Sequence, residues 1–134
     1  MNEPDNAEIE AAIEKLVDVF YTRARQDALL GPIFEAKVQD WDAHMRLVAD
    51  FWSKILLKTN RYAGQPFPAH LQLPIEPRHI DHWLALFSDT TEAILPEPYA
   101  QTALEKARMM GESFKAGLFP FIDKEGRPSR HPPA

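Results

Sequence analysis

Residues 61–73 read Arg61-Tyr62-Ala63-Gly64-Gln65-Pro66-Phe67-Pro68-Ala69-His70-Leu71-Gln72-Leu73, and the reading of this stretch decides the fold. Residues 59–77 contain four prolines and one glycine. Proline removes a backbone donor and clashes with the preceding turn, so no long helix can run through them. At most, residues 68–73 form one helical turn with Pro68 near its start. The segment carries one histidine, His70, held between Pro68 and Pro74, and amphipathic helical patterns lie on both sides of it.

Upstream, the spacing of Ile9, Ile13, Leu16, Val17 and Phe20 by threes and fours predicts a helix from about Asn6 to about Gln26. Asp5 and Glu8 are placed to cap its start, and Tyr21 adjoins the apolar face near its end. Leu29-Leu30-Gly31-Pro32 breaks that helix, and Ile33 and Phe34 return apolar bulk to the core. A second helix carries a stripe of Trp41, His44, Met45, Val48, Phe51, Trp52, Ile55 and Leu56, with Asp42, Arg46, Asp50 and Lys54 opposite. His44 therefore points inward. Downstream, a third helix begins near Pro77 and turns Ile80, Trp83, Leu84, Phe87 and Ile94 inward. Pro96-Glu97-Pro98 separates it from a fourth, from about Tyr99 to about Leu118, whose stripe is Ala103, Leu104, Ala107, Met110, Phe114 and Leu118. No segment alternates with period two for long enough to be a strand. An all-α domain over residues 1–121 is expected, followed by a polar, proline-rich tail over 122–134 expected to be disordered.

The chain has 134 residues, 45% of them apolar, which suffices for one domain with an ordinary core. It has no cysteine, so disulfides, thiolate metal sites and iron–sulfur clusters are excluded, and a reducing cytosol fits. The formal net charge is −5, with no basic patch interleaved with aromatics, which argues against nucleic acid. The first residues lack the basic start and apolar run of a signal peptide. No apolar run approaches the roughly 18 residues of a membrane span. A soluble cytoplasmic protein is expected.

There is no phosphate-binding glycine loop, no Gly-x-Ser-x-Gly elbow and no His-Glu-x-x-His helix, which removes nucleotide hydrolases and the common hydrolases. Five histidines remain. His131 lies in the tail. His79 and His82, three apart at a helix start, could hold a divalent metal but read more simply as a solvated pair. His44 alone reads as a core histidine bonded to backbone, and His70 alone as a loop histidine.

Their combination with the aromatics carries more. Phe20-Tyr21, then Asp27-x-x-Leu30-Gly31-Pro32-Ile33-Phe34, Trp41-x-x-His44 and Phe51-Trp52 occur in order. Tyr62-x-Gly64-Gln65-Pro66-x-x-x-His70-x-x-Leu73 and Trp83-Leu84-x-x-Phe87 follow. The set resembles the truncated haemoglobins, and among them group III, over roughly residues 9–115. The early glycine pairs of the other groups are absent, in keeping with group III.

The resemblance implies a shortened globin, a two-over-two helical sandwich enclosing a haem b (iron protoporphyrin IX), with His70 as the protein ligand to its iron. It further implies that Tyr21, His44 and Trp83 form the polar lining of the gas-binding face. A phenol O–H and an indole N–H can both stabilise negative charge on a bound diatomic ligand. Phe34, Val48, Phe51 and Trp52 would wall the pocket. Tyr62 is a candidate for a haem propionate, and Arg46, Arg61 and Arg78 are others that the sequence does not rank. The plainer alternative makes Tyr21 and Trp83 core aromatics whose donors reach backbone.

Two strong donors over the iron fit a site that retains O2 while something else reacts with it. That points to nitric oxide dioxygenation or a peroxidase-like reaction. With no flavin or nicotinamide domain in the chain, an external reductase would be needed. O2, NO, CO or peroxide are the expected small ligands, and a monomer the expected state. The alternatives are a non-enzymatic oxygen-binding or gas-sensing haem protein, and a haem-free helical interaction domain.

Overall fold

The structure, a computed structural model, describes residues 5–64 and 73–131. Among these residues the helices are α1 (Asn6–Gln26), α2 (Gly31–Lys37), α3 (Trp41–Leu57), α4 (Pro77–Ile94) and α5 (Tyr99–Leu118). The four long ones match the four expected from periodicity. Their starts have local causes. The Asp5 carboxylate accepts from the Glu8 N–H at 2.8 Å, and the Asp40 carboxylate from the Ala43 N–H at 3.1 Å, each satisfying an amide that the first turn leaves open. At α4, Glu76 and His79 cap each other, and His79 Nδ1 accepts from the Glu76 N–H at 2.9 Å. His79 is thus a buried capping residue rather than one half of a solvated pair.

The helices form a two-over-two sandwich. α1 packs on α3 and α4 on α5, while α1 also crosses α4 and α3 crosses α5. The core is continuous across both layers: Ile9, Ile13, Leu16, Phe20 and Tyr21 of α1 meet Trp52 of α3, Phe87 of α4, and Ala100, Ala103 and Ala107 of α5. The alanines let α5 approach closely. A smaller cluster of Ile80, Leu118 and Phe119, with Ile75 and Phe114 against it, closes the other end.

Besides His79, the structure departs from expectation in two places. The break at residues 29–32 does more than end α1, because α2 begins at Gly31 with Pro32 in its first turn, where a missing N–H costs nothing. Over the described part of the supposed disordered tail, β1 (Phe121–Ile122) pairs antiparallel with β2 (Pro128–Ser129). The Asp123 carboxylate accepts from the N–H groups of Glu125 and Arg127 at 3.0 and 2.8 Å. Gly126 takes the left-handed conformation (φ 81°) that closes the turn. Turn chemistry, not periodicity, orders this segment, and a search for long alternation passes over it.

Candidate functional site

Tyr21 and His44 lie side by side. α1 ends its apolar face with Tyr21, and α3 presents His44 one turn in from its cap, so the phenol oxygen and His44 Nε2 are 3.0 Å apart. Tyr21 is 6% exposed, and burial raises its pKa, so the phenol stays protonated. A neutral phenol can donate one hydrogen bond and accept another.

Aromatic edges enclose the pair. Phe34 of α2 meets the Tyr21 ring edge-on at 5.4 Å between centroids, and Trp41 meets it at 5.7 Å. Trp41 also stands 5.8 Å from the His44 ring. The Arg25 guanidinium lies 4.2 Å over the Trp41 ring while its Nε bonds Glu35 at 2.7 Å, which ties the ends of α1, α2 and α3 together. Trp41 stands in the sequence as part of the helical stripe and of the Trp41-x-x-His44 motif but not among the expected site residues; its spacing of three from His44 is the signal that both share one face.

Trp83 is one ring away. It touches Phe20 edge-on at 6.1 Å and stacks on Phe87 at 5.2 Å, and Phe87 stacks in turn on Trp52 at 4.9 Å. Phe20 links this ladder to Tyr21 at 5.0 Å. The Trp83 indole N–H makes no hydrogen bond among the described residues, so the alternative in which it reaches backbone is not seen there. Phe51 meets Trp52 at 5.1 Å and Tyr62 at 5.3 Å, with Lys54 Nζ 5.9 Å over the Tyr62 ring. Val48 packs against the same core, half-buried. The structure therefore brings together Tyr21, Phe34 and His44, and, through Phe20 and Phe87, joins Trp52 and Trp83 to them. His70 lies outside the described residues.

Two of the three arginine candidates, Arg61 and Arg78, have acidic partners of their own. Arg61 bonds both Glu10 oxygens at 2.8 Å, Asp50 at 3.1 Å and Ser53 Oγ at 2.7 Å. Ser53, fully buried, also bonds Glu10 and Thr59. Partial burial pushes the Glu10 pKa up, but bonds from Arg61 and Ser53 outweigh it and the net shift is downward. Arg78 pairs with Glu76 at 2.7 Å. Arg46 is exposed along an open cleft of about 480 Å3 between α1 and α3, whose lining also includes Glu14 and Asp18. His82 Nε2 lies 2.6 Å from the Asp27 carboxylate, and no group of three or more potential metal ligands occurs among the described residues.

The donor set and its surroundings fit a flat apolar group. α3 is the most apolar of the four long helices, yet only Trp52 and Ser53 are buried along it. Trp41, Met45, Val48, Phe51 and Ile55 are half-covered, and Trp83 and Leu84 of α4 share that state. A helix so apolar is expected to bury its stripe fully. A macrocycle against it would complete that burial, with the Tyr21–His44 pair as polar contact.

Comparison with known proteins gives concordant results. The family model of the bacterial-like globins matches residues 5–116. A group 3 truncated haemoglobin of Campylobacter jejuni is 32% identical over 115 residues, spanning 82% of this chain and 91% of its own. The crystal structure of a group III truncated haemoglobin from the same organism superposes with a TM-score of 0.78 at 29% identity, covering 89% of this chain and 94% of that one.

Proposed function

Because the chain belongs to the bacterial-like globins, and within them to the group III truncated haemoglobins, we propose that it holds haem b through His70 and carries out redox chemistry on a retained diatomic ligand, namely dioxygenation of nitric oxide to nitrate. Membership of the family implies haem binding and small gaseous ligands such as O2. The observation that supports the finer reading is the 3.0 Å contact between the Tyr21 hydroxyl and His44 Nε2 inside a wall of aromatic edges.

When bound, the haem would supply an iron that takes up the gas and the single electron by which O2 and NO become nitrate, an electron that a separate reductase returns. The chain's own part is to donate hydrogen bonds and exclude water. When the His44 Nε2–H donates to the phenol oxygen, the Tyr21 proton is left to face the pocket. Trp83 would add an indole N–H from α4. A hydrogen bond to a charged acceptor contributes about 1.5–3 kcal/mol, which slows ligand release by one to two orders of magnitude. Such retention suits a reaction at the bound gas better than ready unloading. Phe34, Val48, Phe51 and Trp52 keep the site dry, which strengthens those bonds, and Tyr62 serves a propionate. No described helix is long and apolar enough to cross a membrane; we take the protein to work as a cytoplasmic monomer.

The test is the visible spectrum of haem-reconstituted protein, ferric and reduced with CO, for the wild type and His70→Ala, followed by nitrate yield on mixing the oxygenated ferrous form with NO. A sharp Soret band degraded in the variant, and one nitrate per haem, are expected. Absence of stoichiometric haem uptake, or an identical spectrum in the variant, overturns the haem assignment. Haem uptake without nitrate overturns the reaction and leaves a gas-binding protein.

A further inference from the structure

We propose that His82 is a positioning residue for Trp83: its bond to Asp27 pins α4 against the end of α1 and so sets the direction in which the neighbouring indole N–H points. The inference rests on the reading of Trp83 as a donor to the bound gas.

Among the described residues no hydrogen bond holds the Trp83 indole. Its half-buried ring is placed by aromatic neighbours: Phe20 edge-on at 6.1 Å across the helix crossing, and Phe87 stacked at 5.2 Å with 5° between the planes. Phe87 lies one turn further along the same helix, so that stack travels with Trp83 whenever α4 slides or rolls. Phe20 belongs to α1. The direction of the indole therefore follows from the register in which α4 crosses α1.

Polar bonds hold that register on both sides of the aromatic contact. Beyond Phe87, Arg23 of α1 donates through Nη1 to Thr90 Oγ1 at 2.8 Å and through Nη2 to Asp89 at 3.0 Å. Thr90 is buried and donates in turn to the Leu86 carbonyl at 2.8 Å, so the arginine grips a fixed part of the helix. Before Trp83, His82 Nε2 lies 2.6 Å from the Asp27 carboxylate. A carboxylate only accepts, so the hydrogen sits on Nε2.

An exposed pair of this kind usually contributes little, because two mobile side chains must be ordered to form it. Here one of the two is ordered already. Asp27 caps the end of α1, and its side chain is 19% exposed. Its other oxygen accepts from the Leu29 and Leu30 amides at 2.9 and 3.0 Å, and its carbonyl from the Gly31 N–H at 2.8 Å. The bond thus carries the position of the joint between α1 and α2 to α4, at the residue adjoining Trp83. Hydrogen bonds weaken steeply as they go out of line, so a small roll of α4 changes what the indole can donate to without opening the core.

The experiment uses the reduced, CO-bound holoprotein of the wild type, His82→Leu and His82→Gln, with Trp83→Phe alongside. Glutamine can place an amide N–H where Nε2 stands, whereas leucine fills the space without a donor. Two signals are read: the C–O stretch, and the indole N–H cross-peaks of isotope-labelled protein, one for each of the three tryptophans. Trp83→Phe identifies the Trp83 peak by its loss and should raise the C–O stretch by removing a donor. In His82→Leu the Trp83 peak should move and the C–O stretch should shift part of the way towards that of Trp83→Phe. O2 release should quicken about three- to tenfold, a fraction of one charge-assisted bond. His82→Gln should restore the wild-type values, and the Trp41 peak and far-UV helicity should not change. A Trp83 peak and C–O stretch unmoved in His82→Leu overturn the proposal while leaving Trp83 as donor. So does a His82→Gln that behaves as His82→Leu, because the bond is then not what acts. Displacement of all three peaks with loss of helicity overturns it by making the change general. A C–O stretch unmoved by Trp83→Phe overturns the reading of Trp83 itself, and the proposal with it.

Discussion

Tyr21 and His44 place two heteroatoms 3.0 Å apart, and a single proton lies between them. Which atom carries it determines what the pocket presents. With the proton on Nε2, the phenol O–H is free to donate elsewhere; with the phenol donating to Nε2, it is not. Tyr21→Phe removes the donor while keeping the ring and its edge contacts with Phe20, Phe34 and Trp41. O2 should then leave the ferrous protein ten- to a hundredfold faster, the effect of losing about 1.5–3 kcal/mol, as measured by stopped-flow ligand replacement. An unchanged rate would show that the phenol serves packing alone. Both residues were legible as site candidates in sequence, from the resemblance and from their inward helix positions. Their mutual contact was not, because it depends on how α1 and α3 cross, and no one-dimensional pattern encodes a crossing.

At the scale of elements, the junction of α1, α2 and α4 shows what a breaker motif conceals. Asp27 accepts from the Leu29 and Leu30 amides at 2.9 and 3.0 Å with one oxygen and faces His82 with the other. A Cβ on Gly31 would stand 2.6 Å from the Arg25 carbonyl, so only glycine lets α2 start this close to the end of α1. The sequence showed a Gly-Pro stop; the fold uses it as a joint. The hairpin after α5 was hidden in the same way, since Asp123 and Gly126 are turn residues within a stretch whose composition reads as a tail. At Asp27, partial burial raises the carboxyl pKa, but the bonds from His82 and the two amides outweigh it and hold it below the ordinary value. A carboxylate lowered in the folded state adds stability above its unfolded pKa, about 4, and that stability is lost as the pH falls through the folded value. Asp27→Asn should therefore cost about 1 kcal/mol at pH 7, modest because His82 is partly exposed. The Tm gap to the wild type should narrow once the pH drops below about 4. A gap constant from pH 7 to pH 3 would mean that the carboxylate's charge contributes nothing there.

For the whole molecule, four helices and their order could be read from periodicity, because a stripe at 3.6-residue spacing has few other ways to be buried. The shortfall along α3 could not, since exposure is a property of the assembled layers. With only Trp52 and Ser53 buried in that helix, the polypeptide alone leaves its most apolar element half-covered. On the proposed reading the haem is the missing core. Haem at a thousandfold excess over its Kd adds about 4 kcal/mol, a rise in Tm on the order of ten degrees. Calorimetry of the apo and loaded forms should show it; coincident melts would mean that the α3 face needs no such partner.

That half-covered face has a physiological corollary. On the proposed reading, a newly made chain without haem would spend more time open, and open chains are what cellular proteases degrade. Steady-state abundance would then track iron nutrition without any dedicated transcriptional control: when porphyrin supply fails, the unfilled protein is cleared, and its amino acids return to the pool.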